Sequence, residues 1–149
     1  FGSSFGASRT LLYLASAAER NRKTGKKAFL RSAAVEMPKL LPNKTPEGAA
    51  SLAERGYLIA DEDYQRPLKL TRRFFHELDA NDVFQKYKAG TARLAMVHGG
   101  ADEVASPEAA ARFAEFAGAE LTMIPGGDHS LSLPGMPERV LALALSFFR

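Results

Sequence analysis

The order of predicted helices and strands constrains the fold of this 149-residue chain most strongly. Short apolar runs predict strands at 27–33, 94–97 and 120–124, and helical patterns follow Gly6, Ser106 and Pro137. Since strands joined through helices run parallel, we predict an α/β protein with a parallel sheet. Ligand sites in such sheets lie at the carboxyl ends of the strands.

The helices at the two ends of the chain each have a predicted apolar face. In the first helix this face comprises Leu11, Leu12, Ala15 and Ala18. In the last helix it comprises Val140, Leu141, Ala144, Leu145 and Phe148. Both helices are therefore expected to pack on the sheet.

Residues 36–80 interrupt this alternation. Four prolines break the segment into short pieces: Pro38, Pro42, Pro46 and Pro67. Within it we predict a helix at 47–55, a strand at 57–60, a solvated acidic loop at 61–63 and a helix at 68–78. The predicted organisation is a partial core formed by 1–35 and 81–149, with 36–80 inserted as a small cap or lid.

Composition excludes several kinds of chemistry. The chain has no Cys, which rules out disulfides, thiolate catalysis and Cys-based metal sites. Its three His, at positions 76, 98 and 129, have no metal-ligand spacing. The longest apolar stretch, 140–148, is far shorter than the roughly 20 residues that span a bilayer. No metal, organic cofactor or membrane span is expected.

Gly2-x-Ser4-x-Gly6 matches the nucleophile elbow, G-x-S-x-G. In that motif the Ser occupies a strained turn from a strand into a helix, so small residues are expected on both sides. The turn exposes the hydroxyl, and the backbone N–H of Phe5 would donate to an oxyanion. The helical pattern after Gly6 supplies the required context, but the sequence lacks the strand expected before Gly2.

A Ser hydroxyl needs a base, and His129 is the best candidate because it lies in a Gly-rich loop between a strand and the final helix. A surface-loop His is the alternative. We expect His98 to pack or cap at a strand end, and His76 to be solvated.

The base needs an acid, and Asp102 follows a buried strand through a short Gly-rich loop. Its neighbour Glu103 is the main rival. Asp128 is adjacent to His129 in sequence, which makes side-by-side pairing geometrically poor. The loops carrying Ser4, Asp102 and His129 are expected to open at one edge of the sheet.

Three segments, 2–6, 98–102 and 126–129, are similar to the catalytic segments of α/β-hydrolases, and 27–33 resembles the strand after the elbow helix in that family. The resemblance implies Ser4 as nucleophile, Asp102 as acid and His129 as base. The run 97–107 and the inserted segment also resemble cinnamoyl or feruloyl-type esterases and serine aminopeptidase-like hydrolases.

The resemblance also implies that the chain is the C-terminal part of such a fold, starting at the elbow, with the N-terminal strands missing. The family's second oxyanion donor comes from a loop before the elbow. We therefore expect the 149 residues alone to be weakly active.

The sequence thus predicts a serine hydrolase that cleaves a small-molecule ester through an acyl-enzyme. Alternatives are a serine peptidase or aminopeptidase, a thioesterase, and a non-catalytic binding module or inactive fragment. Ser4 argues against a dehalogenase, which needs a carboxylate nucleophile. The basic run 20–27 lacks interleaved aromatic residues, which favours a solvated helix end over a nucleic-acid site.

Four aromatic residues of the insertion are candidates for lining a substrate pocket: Tyr57, Tyr64, Phe74 and Phe75. Phe74 and Phe75 are the predicted substrate-binding pair, and simple packing of the insertion is the alternative. The sequence leaves oligomeric state and compartment open; the cytoplasm is slightly favoured, and the N-terminus is not visible.

Overall fold

The structure is a computed structural model that describes residues 1–22, 27–39, 45–60 and 67–149. In chain order its elements are β1 (Gly2–Ser3), α1 (Phe5–Glu19), β2 (Lys27–Arg31), a 3₁₀ turn (Met37–Lys39), α2 (Pro46–Arg55), β3 (Tyr57–Ala60), β4 (Leu68–Thr71), α3 (Arg72–Ala80), α4 (Val83–Lys86), β5 (Arg93–Gly99), α5 (Pro107–Ala117), β6 (Glu120–Ile124) and α6 (Met136–Phe148). The predicted loop 61–63 and Tyr64 lie outside the described residues.

The chain divides into two compact units, one formed by Phe1–Glu36 with Val83–Arg149 and the other by Met37–Asp82. The second unit overlaps the predicted insertion 36–80, and its role as a lid stays a prediction. No helix in the described parts of the chain is long and apolar enough to cross a membrane.

The first unit contains a four-stranded sheet in the order β1-β2-β5-β6, and every neighbouring pair is parallel. One row of residues runs straight across it: Gly2 pairs with Leu30, Leu30 with Met96, and Met96 with Leu121. The prediction of a parallel sheet is confirmed. Because the strands are parallel and in register, their carboxyl ends lie at one edge.

Alternate residues of the central strands face opposite sides of the sheet, as strand geometry requires. Leu30 and Met96 join a core formed with α1, α4 and α5. Phe29 and Val97 join a second core with α6. The sheet is therefore covered on both faces, which explains why its central strands are apolar without interruption.

α5 illustrates how local sequence fixes these elements. The Ser106 hydroxyl accepts a hydrogen bond from the Ala109 N–H at 3.1 Å, Pro107 takes the first helical position, and Gly118 ends the helix in the left-handed conformation. Its predicted apolar side is buried: Ala110, Phe113, Ala114 and Ala117.

The predicted faces of the two terminal helices need correction. α6 buries Val140, Ala144 and Phe147. The other predicted members of its face, Leu141, Leu145 and Phe148, are exposed. The helix carries two apolar stripes offset by one residue, so periodicity alone could not select the packed one. In α1, Ala18 is exposed and Leu12 half-buried, while Leu14 and Ala17 take the inner positions.

The predicted solvated end of α1 holds for the two arginines of the basic run and is wrong for Lys27, whose Nζ donates to the Phe147 carbonyl at 3.2 Å. Arg20 and Arg22 are exposed, and Lys27 is half-buried at the start of β2. Residues 23–26 lie outside the described parts.

The second unit has its own small core, in which Leu58, Phe75 and Leu78 are buried. The predicted helix at 68–78 is wrong in its first four residues. β4 pairs antiparallel with β3, and α3 begins only at Arg72. Leu68 and Leu70 alternate with exposed residues at the period of a strand, and the Thr71 hydroxyl then caps the helix by accepting from the Phe74 N–H at 3.3 Å.

Candidate active site

Ser4 occupies the turn between β1 and α1 with φ 51° and ψ −124°. A non-glycine residue at positive φ costs on the order of 1–3 kcal/mol, which the surrounding structure must offset. Here the Ser4 N–H donates to the Arg31 carbonyl at 2.9 Å, and the Ser4 carbonyl accepts from the N–H groups of Ala7 and Ala34. The strand expected before the Ser4 turn, which the sequence pattern did not show, is present as β1, whose two residues pair with β2.

The two glycines of the elbow differ in their steric roles. A Cβ at Gly2 would lie 2.7 Å from Thr10 Oγ1 and 2.8 Å from Ala7 Cα. A Cβ at Gly6 would meet no atom of the described residues within 4 Å. The expected need for small residues therefore holds at Gly2, where the helix passes close to the strand, and is wrong at Gly6.

His129 lies in the loop between β6 and α6, and its Nε2 is 2.9 Å from Ser4 Oγ. The loop bends through two residues at positive φ, Gly126 and Leu131, and Leu131 is buried. The His129 side chain is 22% exposed, so it is held by protein on most sides but open on one.

Asp102 lies on the far side of the imidazole. Its Oδ2 and Oδ1 are 2.8 and 3.0 Å from His129 Nδ1, and the carboxylate is fully buried. Oδ1 also accepts from the backbone N–H groups of Val104 and Ala105 at 2.9 and 2.8 Å. With the Nδ1 proton directed at the carboxylate, the Nε2 lone pair faces the Ser4 hydroxyl.

The rival acids point elsewhere. The side chain of Glu103 is exposed. The Asp128 carboxylate accepts from the Ser132 N–H and hydroxyl, each at 3.2 Å, and the backbone bond from Ser132 holds the pKa of Asp128 below its ordinary value. Neither competes with Asp102 for His129. His76 is exposed, as predicted.

His98 has a contact that the sequence pattern did not indicate. It is completely buried at the end of β5, with Nε2 2.9 Å from the Ala105 carbonyl and 3.1 Å from Asp102 Oδ2. Its Nδ1 has no hydrogen-bond partner among the described residues. A carbonyl only accepts, so the contact with Ala105 assigns the proton to Nε2. His98 is thus a buried residue that contacts the loop carrying Asp102, and it is not exposed at the surface of the site.

Phe5 is the first residue of α1 and directly follows Ser4. Its backbone N–H belongs to the first turn of a 15-residue helix, where the helix dipole favours negative charge. Its ring is partly exposed and is covered by the Arg9 guanidinium at 4.5 Å. The oxyanion role of the Phe5 N–H stays a prediction.

Phe74 and Phe75, the predicted substrate-binding pair, belong to the second unit. Their rings meet edge to face at 5.3 Å. Phe75 is buried with Leu58 and Leu78, whereas Phe74 is half-buried beside them. Phe75 thus packs the unit's own core, and a contact of either ring with substrate stays a prediction.

Arg31 is a residue of this edge that sequence reasoning missed. Its guanidinium donates from Nε and Nη2 to Ser3 Oγ at 2.9 and 2.7 Å, and from Nη1 to the Ser130 carbonyl at 2.9 Å. A charged residue that ends an apolar strand at the edge carrying the candidate site is the signal that could have found it.

The assembled groups can activate a hydroxyl. A buried carboxylate lies against one imidazole nitrogen, the other nitrogen faces a serine oxygen, and the serine stands at a helix start. General-base activation of a hydroxyl requires this geometry. No group of three or more His, Asp or Glu in the described ranges could hold a metal ion.

Solved structures are similar to this chain over nearly its whole length. A candidate hydrolase from Agrobacterium vitis S4 has a TM-score of 0.83 and 23% identity, with 99% of this chain and 60% of that one covered. Est1E from Butyrivibrio proteoclasticus has a TM-score of 0.69 and 23% identity, with 99% and 60% covered. Alpha/beta hydrolase domain-containing protein 10 from mouse has a TM-score of 0.62 and 18% identity, with 96% and 58% covered.

These similarities show the α/β-hydrolase fold, as the sequence predicted. The chain spans about 60% of the length of these structures. No protein-family profile and no curated protein sequence matches it.

Proposed function

We propose that this chain carries the catalytic triad of a serine hydrolase that cleaves carboxylic esters through an acyl-enzyme. Ser4 is the nucleophile, His129 the general base and Asp102 the acid that orients it. One observation carries the proposal: His129 bridges the other two side chains, with Nε2 2.9 Å from Ser4 Oγ and Nδ1 2.8 Å from Asp102 Oδ2.

In the first half-reaction, Ser4 Oγ attacks the ester carbonyl carbon while its proton passes to His129 Nε2. The carbonyl oxygen becomes an oxyanion, to which the Phe5 N–H donates. The bond to the alcohol oxygen then breaks, and His129 returns the proton to the departing alcohol. Ser4 is left as an acyl ester.

In the second half-reaction, water replaces the alcohol. His129 takes a proton from the water, whose oxygen attacks the acyl carbon. When the bond to Ser4 Oγ breaks, His129 gives the proton back to Ser4. Throughout the cycle Asp102 stabilises the imidazolium without itself becoming protonated.

The similar structures favour esters as the substrate class. Their number includes an esterase domain from a Rhodothermus marinus protein and a Paleococcus ferrophilus monoacylglycerol lipase. Est1E was also solved with ferulic acid bound. We therefore place alkyl, glyceryl and feruloyl esters first, and amides and thioesters second.

The proposal is tested by turnover in the full-length protein and its Ser4→Ala variant. A panel of nitrophenyl esters of different acyl length, a feruloyl ester, amino-acid anilides and acyl thioesters covers the alternative substrate classes. We expect ester turnover that falls by on the order of 10⁶-fold in Ser4→Ala. A wild-type preference for anilides or thioesters would replace the ester assignment, and turnover that survives Ser4→Ala would remove Ser4 from the mechanism.

We further propose that the second unit acts as a lid whose aromatic residues select the acyl group. Phe74 is the better candidate because it is half-buried, whereas Phe75 is buried with Leu58 and Leu78. Phe74→Ala is expected to change the ratio of feruloyl to short-acyl turnover. Unchanged ratios accompanied by a lower melting temperature would assign both rings to packing alone.

A further inference from the structure

The guanidinium of Arg31 bridges the two segments that carry the proposed nucleophile and base. Nε and Nη2 donate to Ser3 Oγ at 2.9 and 2.7 Å, and Nη1 donates to the Ser130 carbonyl at 2.9 Å. Ser3 directly precedes Ser4, and Ser130 directly follows His129. The Arg31 side chain thus holds the chain neighbours of both Ser4 and His129, although Ser3 and Ser130 are 127 residues apart in sequence.

We propose that Arg31 is a positioning residue that fixes the separation between Ser4 Oγ and His129 Nε2. This inference rests on the proposed function, because the separation matters only if a proton crosses it. Arg31 acts through Ser3 and Ser130, and it takes no proton and makes no bond with the reacting atoms.

The His129 loop is connected to the Asp102 loop by backbone hydrogen bonds. The Gly100 N–H donates to the Ile124 carbonyl at 2.8 Å, and the Ala101 N–H donates to the Gly127 carbonyl at 2.9 Å. These bonds fix the base relative to the acid. Arg31 supplies the corresponding connection between the base and the nucleophile.

The chemistry of the guanidinium suits this role. It is always charged and planar, and its N–H donors diverge in a fixed fork, so it can hold two acceptors on different segments at once. Hydrogen bonds from a charged donor are about twice as strong as neutral ones. A Lys at this position would bring one compact ammonium group and could not reproduce the three directed bonds.

Arg31→Gln and Arg31→Lys in the full-length protein test the proposal through steady-state ester kinetics. We expect kcat to fall by about 10- to 100-fold, since a displacement near 1 Å has an effect of that order. KM should stay nearly constant, because the guanidinium N–H groups are directed at Ser3 and Ser130. Arg31→Lys should recover little of the loss.

Arg93→Gln is the matched control. Arg93 starts the neighbouring strand β5, at the opposite end of the sheet, and its Nη2 lies 2.8 Å from Glu120 Oε1. The same substitution there removes the ion pair between Arg93 and Glu120 and leaves the edge of the sheet that carries Ser4 and His129 unchanged. A kcat for Arg31→Gln no lower than that for Arg93→Gln would overturn the proposal.

A double-mutant cycle with Ser3→Ala asks whether Arg31 works through this contact. If it does, Ser3→Ala should lower kcat on its own and add nothing further in the Arg31→Gln background. Multiplication of the two separate losses would mean that the residues act independently, which contradicts the proposed route.

Hydrogen exchange separates failure of this inference from failure of the proposed function. With the bridge removed, backbone amides of segments 2–7 and 126–133 should exchange faster in Arg31→Gln than in Arg93→Gln, whether or not the protein turns over esters. Absence of any wild-type turnover would overturn the proposed function and the positioning role with it. An active wild type with an equally active Arg31→Gln variant would overturn the positioning role alone.

Discussion

Both carboxylate oxygens of Asp102 lie within hydrogen-bond distance of His129 Nδ1, Oδ2 at 2.8 Å and Oδ1 at 3.0 Å. The carboxylate itself cannot rotate freely, because the N–H groups of Val104 and Ala105 both donate to Oδ1. Because the backbone donors fix Oδ1 and His129 contacts the carboxylate from another direction, a substitution at Asp102 has a defined effect on the His129 proton.

Asp102→Asn should lower kcat for ester turnover by about 10⁴-fold. The amide oxygen will replace Oδ1, because the Val104 and Ala105 N–H groups need an acceptor there. The NH₂ group then faces His129 Nδ1. His129 must then carry its proton on Nε2 and can no longer accept one from Ser4. Glu103→Gln, which changes an exposed side chain, is the control and should retain the wild-type kcat. Equal losses in the two variants would contradict the assignment of Asp102.

Gly99→Ala should separate Asp102 from His129. A Cβ at Gly99 would collide with the backbone of Gly127 and lie 2.5 Å from the Asp128 carbonyl oxygen, so the two loops must move apart. Activity should fall far more than stability, as shown by kcat and thermal unfolding on the same samples. At Gly100 a Cβ would be 3.4 Å from its nearest neighbour, so Gly100→Ala should change both quantities little.

Gly2→Ala should lower the free energy of unfolding, and Gly6→Ala should raise it. At Gly2 the new methyl group meets the α1 backbone at 2.8 Å from Ala7 Cα, and relief requires movement of the helix against the strand. At Gly6 it enters open space within a helix, where Ala is favoured over Gly by up to about 1 kcal/mol. Free energies of unfolding from urea titration measure both, and a stable Gly2→Ala variant would show that the elbow tolerates a wider turn.

Asp128 should make part of the stability depend on pH in acid. The Ser132 N–H bond lowers the pKa of this carboxyl below its ordinary value of 3.8, so the folded state favours the ionised form. Its contribution is fully present above the unfolded-state pKa and is lost as the pH falls through the lower folded-state pKa. Urea titrations at neutral and acidic pH should show a smaller acid-induced loss in Asp128→Asn than in wild type. The same loss in both proteins would contradict this linkage.

Much of the fold was predictable because its strands are buried on both faces. The run 94–97 is apolar throughout, as a strand between two helical layers must be, and the helix-strand order then fixed a parallel sheet. The inner face of α6 was not predictable in the same way. Its residues are apolar at 140, 144 and 147 and also at 141, 145 and 148, and only contact with the sheet distinguishes the two stripes.

The meeting of Ser4, Asp102 and His129 at the candidate site could be predicted because Ser4 lies in the G-x-S-x-G motif and the other two lie in Gly-rich loops after predicted strands. Parallel strands bring such loops to one edge of the sheet. The burial of His98 at the end of β5 agrees with the prediction that it packs there, but its contact with Asp102 and the bridge made by Arg31 could not be predicted. The contact of His98 with Asp102 depends on how the loop 99–105 folds back. The bridge made by Arg31 depends on strand register, which pairs it with Ser3, and on a loop almost 100 residues later.

Covalent labelling tests the central claim most directly. The full-length protein is treated with a fluorophosphonate, digested, and analysed by peptide mass spectrometry, with Ser4→Ala and His129→Ala as companions. We predict one adduct per chain, located on Ser4, absent in Ser4→Ala and formed far more slowly in His129→Ala. An adduct on another residue, or none on a well-folded wild-type protein, would contradict the claim that Ser4, His129 and Asp102 work as one unit.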